Sequence, residues 1–412
     1  MKKHYGKYLS YIIKSERKKQ ELSQDQLSAL CNISKSYLSK IENADDFSNE
    51  YIIEILLNKL GIHFIYDMDE LSELDCLLDE FYYSQVYYND NANDNYLKVL
   101  SYKNDYINSI LITKFLVYTY AWLVTHNQSV DDIESKLENE LFNYLPPSNE
   151  LMQIYLDYKG VHQKNNSNFE EAICLFKKAL KLGANKNSYA MICYHLATTL
   201  MMSSNYLEAL HYNETALEYF IKEFNYKRQL FAQVYIAVIY SYCALYDKAE
   251  DIYQNLLLNP HCSNDALLWN TIRSNSAWNM CLQHKYNEAL NILFPDGEKN
   301  ELLFAEEYFN VAWCYYRLNQ YAPALKWIDR GLKVSFDVYQ TKVKLKTIQA
   351  LIQNKDDIQA IYHYLIKEYH EIKDNLSQEN KRFYLELLVE FCEKAYKYKE
   401  ALHYYRLLVN KY

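Results

Sequence analysis

Between residues 168 and 408 the chain writes one pattern repeatedly: "NFEEAICLFKKAL", "NYLEALHYNETAL", "LYDKAEDIYQNLL", "KYNEALNILF", "QYAPALKWIDRGL" and "KYKEALHYYRLL". The aligned alanine of each copy stands at Ala172, Ala209, Ala249, Ala289, Ala324 and Ala401, with a weaker copy at Ala360, so the steps are 37, 40, 40, 35, 36 and 41 residues. A second register agrees with the first. Twelve residues before the first five alanines stand Gly160, Ala197, Ala237, Ala277 and Ala312, whereas Ile348 and Val389 take that place in the last two copies. Small residues at both places let two antiparallel helices approach closely, one pair per repeat. Such a unit cannot bury its own apolar face, so it must stack on its neighbours.

Composition fits a helical array. Glycine occurs six times and proline five in 412 residues, too few for a turn-rich β protein. The 44 tyrosines recur at helical spacing with Leu, Ile and Ala, as helix-packing residues do. The nine cysteines stand singly, without C-x-x-C pairs or ligand-like His spacing, so reduced thiols are expected, with no metal and no cofactor. The N-terminus "MKKHYGKYLSYIIKSERKK" lacks the apolar run of a signal peptide. The most apolar later stretch, residues 110 to 124, is short of a membrane span and contains Lys114. A cytoplasmic protein with no membrane partner is the expectation.

The first sixty residues differ from the rest. In "LSQDQLSALCNISKSYLSKIE", residues 22 to 42, Ser23 and Gln26 form a capping-box pattern, so a short helix begins at Gln24 and ends near Cys31. Asn32 suits the left-handed residue that ends it, and Ser34 caps a second helix from Lys35 to about Glu42. Apolar spacing adds a first helix from about Tyr5 to Lys19 and another that stops at Gly61. Two short helices with a tight turn, braced by longer ones, make a helix-turn-helix. Leu27, Ile33, Leu38 and Ile41 form its core, Ser36, Ser39 and Lys40 its exposed polar face, and Tyr37 fits either place. Residues 1 to 62 carry ten Lys/Arg against eight Asp/Glu, a balance of +2, which leaves −11 for the remainder of a chain whose total is −9. Only this end suits an anion such as DNA. A domain that merely dimerises or binds protein is the alternative.

The segments "LSQDQL", "ISKSYLSKIEN" and "LLNKLGI" resemble the Xre/Cro-type helix-turn-helix family over residues 5 to 62. The resemblance implies that Ser23 and Gln24 contact phosphate and that Lys35, Ser36, Tyr37, Ser39 and Lys40 face the major groove of double-stranded DNA. Asn32 stands where that family usually has Gly, Ser28 where it has Ala, and "NADDFSNE" replaces its usual corner, where Asp45 and Asp46 would repel a phosphate backbone. The repeats resemble the tetratricopeptide repeat, with the surplus length in corners such as "NPHCSND" and "PDGEKN". The two together resemble the RRNPP superfamily of peptide-pheromone receptors.

The fold expected is therefore all-α, an N-terminal helix-turn-helix domain followed by a right-handed α-solenoid of tetratricopeptide-like repeats. Residues 1–66 form the DNA-binding domain, 67–150 a linker and degenerate helical repeats with corners at "NDNANDN" and "LPPSN", and 151–412 the peptide-sensing array. The resemblance implies a short linear signalling peptide on the concave face and a homodimer. In each first helix the position two before the small residue lies about 200° round from it, towards a groove. That rule selects Tyr158, His195, Tyr235, Asn275 and Asn310. A carboxamide such as Asn275 or Asn310 can both donate to and accept from peptide groups. Tyr235, Trp278, Phe309 and Trp313 are candidate pocket residues and Arg317 a candidate carboxylate partner, though His195, Trp278 and Trp313 fit helix packing as well. The tail from residue 380 to 412 is the candidate dimer contact. No phosphate loop, H-E-x-x-H or nucleophile elbow occurs, so no enzyme is expected. Two classes remain: a peptide-gated, quorum-sensing transcription regulator, and an adaptor whose array binds a folded protein.

Overall fold

A computed structural model describes residues 5–45, 49–183, 186–294, 297, 302, 304–334 and 339–409. Asp46 and most of the "PDGEKN" corner lie outside the described residues. Among those described, every regular element is a helix. The first four are α1 (Gly6–Lys19), α2 (Gln24–Leu30), α3 (Lys35–Glu42) and α4 (Glu50–Leu60). Then come α5 (Met68–Val86), α6 (Ala92–Ser101), α7 (Lys103–Ile107), α8 (Ile112–Thr125) and α9 (Asp131–Ser135). A π-helical turn, Lys136–Leu141, runs on from α9 into α10 (Phe142–Tyr144). The helix α6 takes in most of "NDNANDN", so that corner ends at Asn91 and not at Asn95.

Helices then follow in pairs: α11 (Asn149–Asn165) and α12 (Phe169–Leu182), α13 (Lys186–Met202) and α14 (Tyr206–Lys222), α15 (Tyr226–Tyr242) and α16 (Tyr246–Leu257). After the short α17 (Pro260–Ser263) come α18 (Ala266–Leu282) and α19 (Tyr286–Leu293), then α20 (Ala305–Arg317) and α21 (Tyr321–Lys333). The last pairs are α22 (Tyr339–Gln353) with α23 (Ile358–Ile372) and α24 (Gln378–Lys394) with α25 (Tyr398–Val409). The chain forms two compact units, Met1–Asn166 with Cys174–Ile192, and Ser167–Ile173 with Cys193–Tyr412.

Both small-residue registers lie at helix contacts. Ala172, Ala209, Ala237, Ala249, Ala277, Ala289, Ala312 and Ala324 are fully buried. At Gly160 on α11 the reason is steric: a Cβ there would meet the ring of Phe176 on α12 at 2.6–2.9 Å. Phe176 is itself fully buried and has nowhere to retreat. The helices are joined by tight corners, most of them built without glycine, Gly183 after α12 being an exception. Ser204, Phe224, Ala244, His284, Asn319 and Tyr396 each adopt a left-handed conformation, with φ between 56° and 62°. In each case the next N–H donates to the carbonyl five residues back, as from Asn205 to Leu200 at 2.8 Å and from Gln320 to Tyr315 at 2.8 Å. This is the six-to-one bond of a Schellman motif, which satisfies helix-end carbonyls without a longer loop.

The apolar stretch at 110–124 forms α8, a core helix of the first unit. Its one charge, Lys114, is held by Asp75 at 2.6 Å and Asp79 at 2.7 Å. Among the described residues no helix is long and apolar enough to cross a membrane. All nine cysteines are free thiols.

Gly160→Ala tests the close approach. Forcing a methyl against Phe176 should cost about 1–3 kcal/mol of stability, and adding Phe176→Leu should recover part of it. Thermal or urea unfolding of the two variants reads both effects.

Candidate functional site

The helix-turn-helix forms as its sequence pattern requires. Ser23 Oγ accepts from the Gln26 N–H while the Gln26 side chain accepts from the Ser23 N–H, a complete capping box. Asn32 is left-handed at φ 52°, and Ser34 caps α3 by accepting from Tyr37 N–H at 3.1 Å. Leu27, Leu38 and Ile41 are fully buried, and Ile33 is half-buried. Lys35, Ser36 and Lys40 are exposed along α3, with Tyr37 and Ser39 half-exposed. Lys35 pairs with Asp25 at 2.7 Å on the surface. Such a pair is worth roughly 0–1 kcal/mol, so a phosphate competes for it easily. Ser23 lies in its capping box, and Gln24 donates to Glu42 at 2.9 Å, so both side chains already make internal bonds.

The residue pair that fixes α3 was not singled out from the sequence. Arg17 on α1 makes a two-pronged bond to Glu42 at the end of α3, at 2.6 and 2.9 Å, and also donates to the Leu22 carbonyl at 2.6 Å. Hydrogen bonding to Glu42 raises the guanidinium above its usual value, against the effect of burial. The Glu42 side chain is only 1% exposed. Of the ten cations counted at this end, Arg17 is thus internal. Tyr144 of α10 touches the same region: it accepts from Lys14 Nζ, donates to the Glu42 carbonyl at 3.4 Å and lies 6.1 Å from the Tyr11 ring. Burial, helped by Glu140, pushes the Tyr11 phenol up to about 12.

The second unit contains a cavity of about 370 Å³. Its floor comes from one stripe of α20, Phe309, Trp313 and Arg317, continued on α18 by Trp278 and Leu282. Tyr242 of α15 and Tyr246 of α16 border it, and Lys344 of α22 reaches it. The opposite wall is α24, through Asn380, Arg382, Phe383, Glu386, Leu387 and Glu390. Phe383 meets Phe309 and Trp313 edge-on, at centroid distances of 5.3 and 5.2 Å. Arg317 bonds Glu390 at 2.9 Å, Lys394 bonds the same carboxylate at 2.6 Å, and Arg382 bonds Glu386 at 2.9 Å. Although burial works against it, the bonds from Lys394 and Arg317 hold the Glu390 carboxyl below its usual range.

Four expected ligand residues, Trp278, Phe309, Trp313 and Arg317, therefore come together. Asn275, Asn310, Tyr235 and His195 lie outside the cavity wall, and the reason is angular. Phe309, Trp313 and Arg317 lie at three before, one after and five after Ala312, centred about 100° round from it and not 200°. First helices also pack on one another, as α18 does on α20 and α15 on α18, which takes up part of the arc assigned to the groove. Asn275 donates to Thr271 of its own helix at 2.8 Å, Asn310 and His195 are buried, and Tyr235 meets Tyr194 edge-on at 5.6 Å. The wall supplied by α24 was missed because its register lacks the small residue, and the segment from 380 was assigned whole to dimer contact. Within residues 380–390 the side chains of Asn380, Arg382, Phe383, Glu386, Leu387 and Glu390 line the cavity. Arg273 was also overlooked: it is buried, and caps α19 by donating to the carbonyls of Ile292 and Leu293.

Fold and site together define the class, a helix-turn-helix domain joined to an array of paired, tetratricopeptide-like helices. Residues 13–64 match the helix-turn-helix family. Over 396 residues the chain is 23% identical to the transcriptional activator NprA of Geobacillus stearothermophilus, covering 92% of each. A Rap protein complexed with competence and sporulation factor shares the fold at TM-score 0.69 and 17% identity, over 82% of this chain and 98% of that one. NprR in complex with its cognate peptide NprX does so at TM-score 0.62 and 18% identity, over 82% and 99%.

Glu42→Gln tests the anchor of α3. Leaving Arg17 buried against a neutral partner should cost about 3–5 kcal/mol, and Arg17→Met with Glu42→Leu should restore most of it. Amide hydrogen exchange of α1 to α4 in the full chain reads the loss and the recovery.

Proposed function

We propose that this protein is a cytoplasmic quorum-sensing transcription regulator that binds operator DNA as a homodimer and is switched by a short linear signalling peptide. Residues 1–66 read the DNA, 67–150 connect, and 151–412 sense the peptide. The observation that carries the reading is the cavity lined by one face of successive first helices, in a chain that also bears an exposed recognition helix. NprR is crystallised with its cognate peptide, and NprA is a transcriptional activator, which supports the same use here. A cavity of about 370 Å³ also favours a short linear ligand over the folded partner of an adaptor, which would need a broad open face.

On the DNA side, Lys35 and Lys40 would meet phosphate or base edges, and Ser36, Tyr37 and Ser39 would face the major groove. Ser23 and Gln24 would lie near the backbone at the start of α2. On the peptide side, Trp278, Phe309, Trp313 and Arg317 are the contacts. Asn275, half-exposed on α18, is a candidate for ligand backbone beyond the cavity, whereas the burial of Asn310 and His195 and the ring contact of the half-buried Tyr235 with Tyr194 suit packing.

A domain with so few free cations releases few counterions, so useful affinity needs two copies. DNA selected from genomic fragments by the full chain should carry two half-sites spaced by about one helical turn (~34 Å) or multiples of it. The Lys35→Ala, Lys40→Ala double variant should bind this DNA more weakly and lower the salt-dependence slope by about 2. Unchanged affinity and slope would remove α3 from the interface.

Dimer contact fits α25, where Tyr398, Leu402 and Tyr405 are exposed. Leu402→Glu with Tyr405→Glu should give a monomer by light scattering with the thermal transition unchanged. Removal of residues 380–412 is a poorer test, because it strips the cavity of α24.

A further inference from the structure

Two thiols of adjacent repeats meet behind the cavity floor. Cys281 lies four residues after Ala277 on α18, and Cys314 lies two residues after Ala312 on α20. These first helices pack on one another, and the two sulfurs stand 3.3 Å apart in an S–H···S contact. Both cysteines are free thiols, and both are buried, Cys281 at 3% exposure and Cys314 at 0%. Their access differs. Cys281 lines the cavity, whereas Cys314 lies in the core cluster behind it.

A buried cysteine can serve by its volume alone, packing as a small apolar side chain. The pairing allows more than that. A disulfide holds its sulfurs at about 2.05 Å, so rotation of the two side chains with a small helix shift closes the gap from 3.3 Å. The Cys281 thiol keeps its proton, because the hydrogen bond with Cys314, together with burial, holds it well above its usual value. Since the thiolate is the better nucleophile, such a pair stays reduced among ordinary thiols and answers only to an oxidant that reaches it. Hydrogen peroxide is neutral and little larger than water. A cavity of about 370 Å³ bordered by Cys281 admits it.

We propose that Cys281 and Cys314 form a redox modification site, oxidised by hydrogen peroxide to a disulfide that ties α18 to α20. In the first step Cys281 Sγ attacks one peroxide oxygen and the O–O bond breaks. The departing hydroxide takes the thiol proton as water, and a sulfenic acid remains on Cys281. In the second step Cys314 Sγ attacks the Cys281 sulfur, the S–O bond breaks, and the hydroxyl leaves as water with the Cys314 proton. Two thiols and one peroxide thus give one disulfide and two waters, the sulfurs losing the two electrons that the peroxide oxygens gain. The resolving thiol is already in contact, which favours this step over further oxidation of Cys281. The new bond joins the helix of Trp278 to the helix of Phe309 and Trp313, so oxidation fixes one repeat against the next at the cavity floor.

Full-length wild type is treated with hydrogen peroxide, denatured, alkylated and mapped by mass spectrometry. A second chain carries Cys76→Ser, Cys174→Ser and Cys243→Ser, which removes the exposed thiols and their scrambling. Both should yield a linked peptide joining Cys281 to Cys314, lighter by two hydrogens than its reduced halves and lost on treatment with dithiothreitol. In the second chain, adding Cys314→Ala should stop the reaction at a Cys281 sulfenic acid that dimedone traps. Adding Cys281→Ala instead should leave the Cys314 thiol intact. Amide hydrogen exchange of α18 and α20 should slow in the oxidised wild type and recover with dithiothreitol. Peroxide that oxidises the exposed cysteines of the wild type and leaves Cys281 and Cys314 free overturns the site. A Cys281 sulfinic acid beside a free Cys314 overturns the pair as a unit. A disulfide that leaves exchange of both helices unchanged overturns the tie between the repeats.

Discussion

The structure depends on how closely two helices approach within each repeat. Where alanine holds both registers the pair lies close, and at Gly160 even a methyl is too much for the Phe176 ring. Alanines bury little apolar area, so their contribution is one of geometry. They set the rotation of each first helix, and with it the stripe that remains for the inner face. Where the register holds, at Ala277 and Ala312, Trp278 and Trp313 stand in equivalent places and line one cavity. Where it fails, at Ile348 and Val389, the larger side chains are absorbed, Ile348 fully buried and Val389 partly so against the same core. The α24 helix can then supply a wall instead of another strip of floor.

Corners matter as much as contacts. A left-handed non-glycine residue costs about 1 kcal/mol or somewhat more, and the array accepts that at corner after corner. In return each corner closes in a few residues and its six-to-one bond satisfies the last carbonyls. Glycine in these places would relieve strain but lengthen the list of conformations open to the unfolded chain. Six glycines in 412 residues are therefore no obstacle to a protein made almost wholly of sharp turns between helices.

What could be read in advance follows from how local the signal is. The capping box of Ser23 and Gln26, the left-handed Asn32, the stop at Gly61 and both alanine registers are set by neighbours within a few residues, and all stand where periodicity put them. The cavity is different, because it is made by residues about 70 positions apart. Trp278, Phe309, Trp313 and Arg317 were legible as ring and cation positions on repeated helices. Lys344, Arg382 and Phe383 were not, since nothing in one repeat tells how far the stack turns before another repeat faces it. The groove angle failed for a related reason: a helix wheel drawn for an isolated pair omits the neighbouring pair. Arg17 and Glu42, 25 residues apart, looked like surface charge because each lies among polar residues.

That last pair shows why formal charge describes this chain poorly. At the N-terminus Arg17 is spent inside, and Lys35 already leans on Asp25. The free positive face of α3 is thus a handful of side chains, which favours paired binding domains over strong single ones. The acidic excess beyond residue 62 lies in residues 63–150, which carry −12, whereas the array from 151 to 412 carries +1 and places Arg317, Lys344 and Arg382 on the cavity wall. An acidic chain with two separate places of positive potential discriminates between anions by position and shape. A phosphate backbone suits an exposed helix in a groove, and the aromatic cavity suits a smaller group with an apolar side chain. Neither place attracts at long range, because at physiological salt the screening length is about 8 Å. Each ligand must therefore bring contacts of its own, ring stacking in one case and groove fit in the other, before its charge counts.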